Sequence, residues 1–353
     1  YLVEFAVLPE QTCIWIVGRD HFELITRPVA REKIAQWTTL LQRHAQEGNN
    51  RAFIATAEEV HQVLLGDAMA KIRELRPDRD PARLVFVPDF GIHGLPLAAL
   101  RDRERRRYLV EDHLVSTAAS ATFYVFSQER DKTLQRAAER PSVLLIGDPA
   151  FNEGLALTQG LKRLEGARSE IERLGVLYGP SAVRLEGKDA TVPEFLRRAE
   201  ESTIIHFAGH AVANANAPFR SLLLLAPASD HSGVLIAEEL LTRLKADRTR
   251  LVVLSACSSA GGVTIGPEGL APLVRPLIVA GVPAVVGSLW KVRDKVSAEL
   301  LVAFHRHFRA GHDADQALRL AQLELLRKPG SAYGSVLAWA PFEVVGHASS
   351  PYR

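Results

Sequence analysis

From Pro141 onward, runs of four to six apolar residues alternate with amphipathic stretches, and that alternation leaves few folds open. SVLLIGDP, AVRL, TIIHFAG, SLLLLAP, RLVVLSAC, PAVVGSLW and APFEVVG read as buried strands. Between them, LEGARSEIERLGVLYG, VPEFLRRAE, IAEELLTRLKA, Leu270–Ala280, Lys295–Ala310 and Ala314–Leu326 carry helical periodicity. Strands that are apolar on both faces need cover on both faces. The pattern therefore predicts a mainly parallel sheet between two helical layers. In such sheets the C-terminal strand ends share one edge, where ligands bind.

The first 140 residues are less regular. YLVEFAVL and CIWIVGR form a hairpin across the turn LPEQT. Helices follow over Pro28–Glu47 and Ala52–Leu75, then LVFVPD as a short buried strand and GIHGLPLAAL as a loop with a helix. A charged helical stretch over Gln128–Arg140 divides the chain, so we expect a smaller α/β unit over 1–140 and a larger one over 141–353. Tyr1, Val3, Phe5 and Val7 alternate as a strand from the first residue, which reads as a piece of a longer protein.

Charge excludes some functions. The net charge is +2, with acidic and basic residues interspersed. Even the densest basic run, Arg101 to Arg107, is broken by Asp102 and Glu104. Nothing here is an electrostatic footprint for nucleic acid or for an anionic membrane. No stretch reaches the ~18 consecutive apolar residues of a membrane span. The two cysteines, Cys13 and Cys257, make no disulfide framework and point to a reducing, cytoplasmic setting.

Two strands end in reactive side chains: TIIHFAGH closes on His210 and RLVVLSAC on Cys257. A thiol needs a base to become a thiolate near neutral pH, and an imidazole is the usual one. If the two strands are neighbours, both groups emerge at one sheet edge. Gly209, beside His210, and Gly261 and Gly262, after Cys257, are read as sharp backbone turns. The backbone N–H groups of Ala211 and Cys257 are candidate oxyanion donors.

Other chemistries fit poorly. His206 and His210 stand four apart, but Phe207 replaces the Glu of a zincin helix. On a strand such residues lie roughly 13 Å apart, too far for one metal, so His206 is read as a core histidine. His93 has no nucleophile motif beside it. In GKDAT, Asp189 stands where a phosphate loop needs Ser or Thr, and Ala182 where it needs Gly. No cofactor and no metal are expected.

HFAGH, LSACSSAGG, PAVVGSLWKVRD and AWAPFEVVG, in this order, resemble the motifs of the CHAT group of bacterial caspase-like peptidases, relatives of separase in clan CD. LVFVPDFGIHGLPLAAL followed by YLVED extends the resemblance over nearly the whole chain. It implies a caspase-like three-layer α/β sandwich with a mainly parallel sheet, preceded by a smaller α/β pseudo-caspase-like subdomain. It also implies a cysteine endopeptidase acting on protein substrates, with His210 as base and acid and Cys257 as nucleophile. Residues 1–140 are then the non-catalytic half and 141–353 the catalytic half. CHAT regions commonly follow sensor or helical-repeat regions, so the chain is expected to be the effector of a larger regulated bacterial protein. The family usually has Gly directly after the histidine. Ala211 serves in its place only with a negative φ.

In separase-like relatives an acid near the LWxVxD motif receives a basic P1 residue. Asp294 holds that position here, with Glu299 a turn further and Glu268 in the loop after the nucleophile. Asp294 also suits the N-cap of the following helix. Two further readings keep the fold. One is a catalytically weak or inactive scaffold for protein–protein interaction, and the other a thiol hydrolase or acyltransferase for a small substrate.

Overall fold

The computed structural model describes residues 1–76, 81–136, 140–214, 217–258, 271–290, 294–328 and 335–352, with the backbone alone at 218, 257, 258, 271 and 294. Fifteen strands lie among them: β1 (Leu2–Val7), β2 (Thr12–Val17), β3 (Phe22–Arg27), β4 (Ala82–Val87), β5 (Arg101–Asp102), β6 (Arg107–Tyr108), β7 (His113–Thr117), β8 (Val143–Pro149), β9 (Ala182–Gly187), β10 (Ile204–Val212), β11 (Leu222–Leu224), β12 (Val234–Ile236), β13 (Leu251–Ser258), β14 (Ala284–Ser288) and β15 (Phe342–Gly346). The helices are α1 (Arg31–Gln46), α2 (Asn50–Val60), α3 (Gly66–Leu75), α4 (Leu109–Asp112), α5 (Ala121–Arg136), α6 (Glu165–Tyr178), α7 (Val192–Ala199), α8 (Ala237–Arg243), α9 (Ala271–Val279), α10 (Asp294–Arg309), α11 (Ala314–Arg327) and α12 (Val336–Trp339). No described helix is long and apolar enough to cross a membrane.

All strands but β5 and β6 join one sheet of 13 strands. In the C-terminal part β9, β8, β10, β13 and β14 run parallel, and β15 closes antiparallel on β14. The sheet then continues through β7, β4, β1, β2 and β3. Strands from both sides of residue 140 thus share one sheet, joined where Val345 of β15 pairs with Thr117 of β7. The expected hairpin is β1–β2, extended by β3. β3, β5, β6, β7 and β12 escaped the sequence reading: β3 has little apolar alternation, β7 has apolar residues at Leu114 and Val115 alone, and the other three are short.

Side-chain parity sorts the C-terminal sheet into two buried faces. Val143, Leu145, Ile204, Ala208, Leu251 and Val253 face the layer of α6 and α10 and join a core that runs on into the N-terminal part. Leu144, Ile146, Ile205, Phe207, Val252 and Leu254 face the layer built from α7, α8 and α9. Every residue of β10 is buried, as a central strand requires. Local signals set the helix limits: Thr191 caps α7 by accepting the Glu194 N–H, and α6 stops where Gly179 turns to φ +58°.

Ion pairs latch the N-terminal part to the rest. Arg250, at the foot of β13, lies 2.7 Å from Asp131 of α5, both buried, and also donates to Ser349. Arg83 of β4 reaches Asp313 at 2.9 Å and Asp315 at 2.6 Å.

Burial pushes His113, the first residue of β7, down to about 4. Since the unfolded chain protonates first, near 6.5, this group's contribution to stability is complete above that pH and is lost as pH falls towards 4. From pH 7 to pH 5 the loss is about 2 kcal/mol. Denaturant unfolding at the two pH values should show it, with a shallower drop in His113→Gln. Equal drops in the two proteins would remove His113 as the cause.

Candidate active site

β10 and β13 are adjacent and parallel, paired from Ile204↔Leu251 to Ala211↔Ser258. Within this register His210 and Cys257 are direct Cα partners at the C-terminal edge of the sheet. Local sequence explains the site's position: apolar runs carry each strand through the core, and His210 and Cys257 stand close to the C-terminal ends of β10 and β13.

His210 is buried, with its ring edge-on to Phe151 at 5.1 Å between centroids. Its Nε2 lies 2.8 Å from the Lys162 carbonyl oxygen. A carbonyl only accepts, so the imidazole proton sits on Nε2, and Nδ1 is the basic nitrogen. Both contacts come from the segment between β8 and α6, which no motif in the sequence singles out.

Gly209 has a different role from the one expected. It lies inside β10 rather than at a turn. A Cβ there would come within 2.8 Å of the Phe207 ring and 3.3 Å of Pro149. The glycine therefore admits a ring packed across its own strand. Gly261 and Gly262 lie outside the described residues. Ala211 is fully buried and paired with Leu223 of β11 as well as with Ser258. Among the described residues the non-glycine positions with positive φ are Phe90, Arg106 and Asp148, so Ala211 carries no left-handed strain.

Beneath the strand ends lies a buried polar chain. Ser255 donates to the Glu170 carboxylate at 2.8 Å, and the other carboxylate oxygen faces His206 Nε2 at 3.0 Å. His206 Nδ1 lies 3.0 Å from His305 Nε2, and His305 Nδ1 lies 2.7 Å from the Tyr178 hydroxyl. Burial raises Tyr178 well above the ordinary phenol range, and burial beside His206 holds His305 well below the ordinary imidazole range. With one N–H per ring, the chain runs in one direction. Tyr178 donates to His305, His305 to His206, and the His206 N–H faces the carboxylate. His206 is thus a partnered core histidine. Only tertiary contact reveals Glu170, His305 and Tyr178, which lie on α6 and α10 far apart in sequence.

The pocket candidates are placed unevenly. Glu268 lies outside the described residues. Asp294 opens α10, and its side chain is also outside them. Glu299, half-exposed on α10, pairs with Arg173 at 2.8 Å and Lys328 at 3.6 Å.

His206→Ala should destabilise the fold by about 3 kcal/mol, because it leaves the Glu170 carboxylate and the His305 ring buried without their shared partner. Glu170→Gln, which removes the charge but keeps the shape, should cost less. Thermal unfolding of both variants tests this order, and a reversed order would rule out a buried charge as the cause.

The family model of the CHAT domain matches residues 55–347. No curated protein matches. Among solved structures, two Saccharomyces cerevisiae separase–securin complexes superpose with TM-scores of 0.62 and 0.57, each at 10% identity. Each covers 98% of this chain and 30% of the matched chain, so this chain corresponds to under a third of that protein. Gingipain R (RgpB) of Porphyromonas gingivalis, described as an Arg-specific cysteine proteinase, gives a TM-score of 0.49 at 11% identity, over 89% of this chain and 76% of that one. The fold is caspase-like, of the kind found in clan CD cysteine peptidases.

Proposed function

Because this chain belongs to the CHAT-domain family, we propose that it is a cysteine endopeptidase that cuts protein substrates through His210 and Cys257. One observation carries the reading: the two residues are Cα partners on neighbouring parallel strands, at the edge where α/β sheets keep their sites. Residues 141–353 are the catalytic half. Residues 1–140 hold neither dyad residue and serve as its non-catalytic half.

Each chemical step has a group to perform it. With its N–H donated to the Lys162 carbonyl, His210 offers Nδ1 to the Cys257 thiol and takes its proton. The thiolate attacks the peptide carbonyl, and the backbone N–H groups of Ala211 and Cys257 hold the developing oxyanion. The imidazolium then protonates the leaving amine as the C–N bond breaks. Water, deprotonated by the same ring, hydrolyses the thioester and returns the thiol.

Asp294 and Glu268 remain the candidates to receive a basic P1 side chain. Glu299 is the weakest of the three, since Arg173 and Lys328 already neutralise it. We place the protein in the bacterial cytoplasm, as the effector behind a sensor or helical-repeat region that controls it. The scaffold reading rested on Ala211, whose backbone is unstrained.

Wild type should cleave members of a peptide library, and Cys257→Ala or His210→Ala should each lower the rate by about 10³-fold or more. If wild type cuts no peptide even when joined to its sensor region, the peptidase reading is wrong and the scaffold reading takes its place.

A further inference from the structure

Asp148, at the end of β8, has φ +42°, a left-handed conformation that is uncommon outside glycine. The strand ladder with β9 shifts register at this point, between Gly147 and Pro149. Backbone strain of this kind persists only where surrounding contacts impose it, and it gathers at functional sites. The contacts are visible. Asp148 Oδ1 accepts from Arg163 Nε at 2.8 Å and from the Leu164 N–H at 3.0 Å. Its Oδ2 and its own carbonyl oxygen both accept from Arg163 Nη2, each at 2.7 Å. A charged fork with several bonds to one residue fixes orientation as well as distance.

The clamp closes the segment between residues 148 and 164 on itself. The residue just before Arg163 is Lys162, whose carbonyl accepts the His210 Nε2 proton. Phe151, whose ring abuts the imidazole, follows Asp148 by three residues. The Lys162 carbonyl and the Phe151 ring, both against the His210 imidazole, therefore hang from the loop that the Asp148–Arg163 pair pins to the sheet.

We infer that Asp148 and Arg163 are positioning residues for the base: they hold the Lys162 carbonyl against His210 Nε2 and so fix the tautomer that offers Nδ1 to the thiol. The pair itself touches no reacting atom. It acts through one backbone carbonyl. The inference takes from the proposed function only that His210 is the base.

Nitrogen-15 NMR of histidine-labelled protein, with His210 assigned by the loss of its signals in His210→Gln, reads the tautomer without any turnover. Wild type should carry its neutral proton on Nε2. Asp148→Asn and Arg163→Gln should give a mixture of tautomers, and Arg163→Lys should restore part of the preference. In a Cys13→Ser background, alkylation of Cys257 by iodoacetamide at pH 7 should slow about three- to tenfold in the first two variants, with the pH profile displaced upward. Asp148→Gly relaxes the backbone but deletes the carboxylate, so it should behave as Asp148→Asn does and provides a folded test if the others are unstable. A wild-type proton on Nδ1, or variants with unchanged tautomer and alkylation profile, would overturn the inference. Neither result bears on the peptidase reading, which rests on cleavage by wild type and its loss in Cys257→Ala.

Discussion

The parallel pairing of β10 with β13 governs the rest of the site. Eight consecutive residue pairs hold the strands in register, and since side chains alternate, a slip of one residue would turn a whole strand's side chains to the other face. Register is expensive to lose here because both faces are buried: Ile204 and Ala208 belong to one core, Ile205 and Phe207 to the other. The meeting of His210 with Cys257 is therefore set by the packing of apolar residues several positions away. The core sets this pairing before any polar contact is made.

Polar contacts then refine what the core has placed. The Lys162 carbonyl and the Phe151 ring both pack against the imidazole. A neutral acceptor sets the tautomer without adding negative charge at the ring. The buried carboxylate of this region, Glu170, is engaged instead by Ser255 and faces His206. Glu170 and His210 thus take different partners near the end of one sheet.

Much of this was legible in the sequence, because the physics is local. Apolar runs give strands, amphipathic periods give helices, and a reactive residue after an apolar run marks a strand end. His210 and Cys257 follow from that logic. The segment from Asp148 to Leu164 does not, since its role depends on a carbonyl oxygen, which no side-chain motif encodes. The chain from Ser255 to Tyr178 was hidden for another reason: its members sit on β10, β13, α6 and α10 and meet only after the layers pack. Gly209 was recognised but misread, because its need arises from the Phe207 ring folding across it. The pocket acids depend on loops whose geometry local pattern does not define, and Glu299 shows how an exposed acid can be taken up by neighbouring helices.

β15 lies between β14 and β7, so one short strand near residue 345 joins the two parts of the sheet. Until synthesis has passed that point, β14 and β7 each present an open row of backbone donors and acceptors. Folding on the ribosome must therefore proceed with two unfinished edges until β15 arrives, and edges of this kind invite mispairing. β10 and β13, which carry His210 and Cys257, are synthesised before that. The order of synthesis places closure of the sheet after the strands that carry His210 and Cys257 have been made.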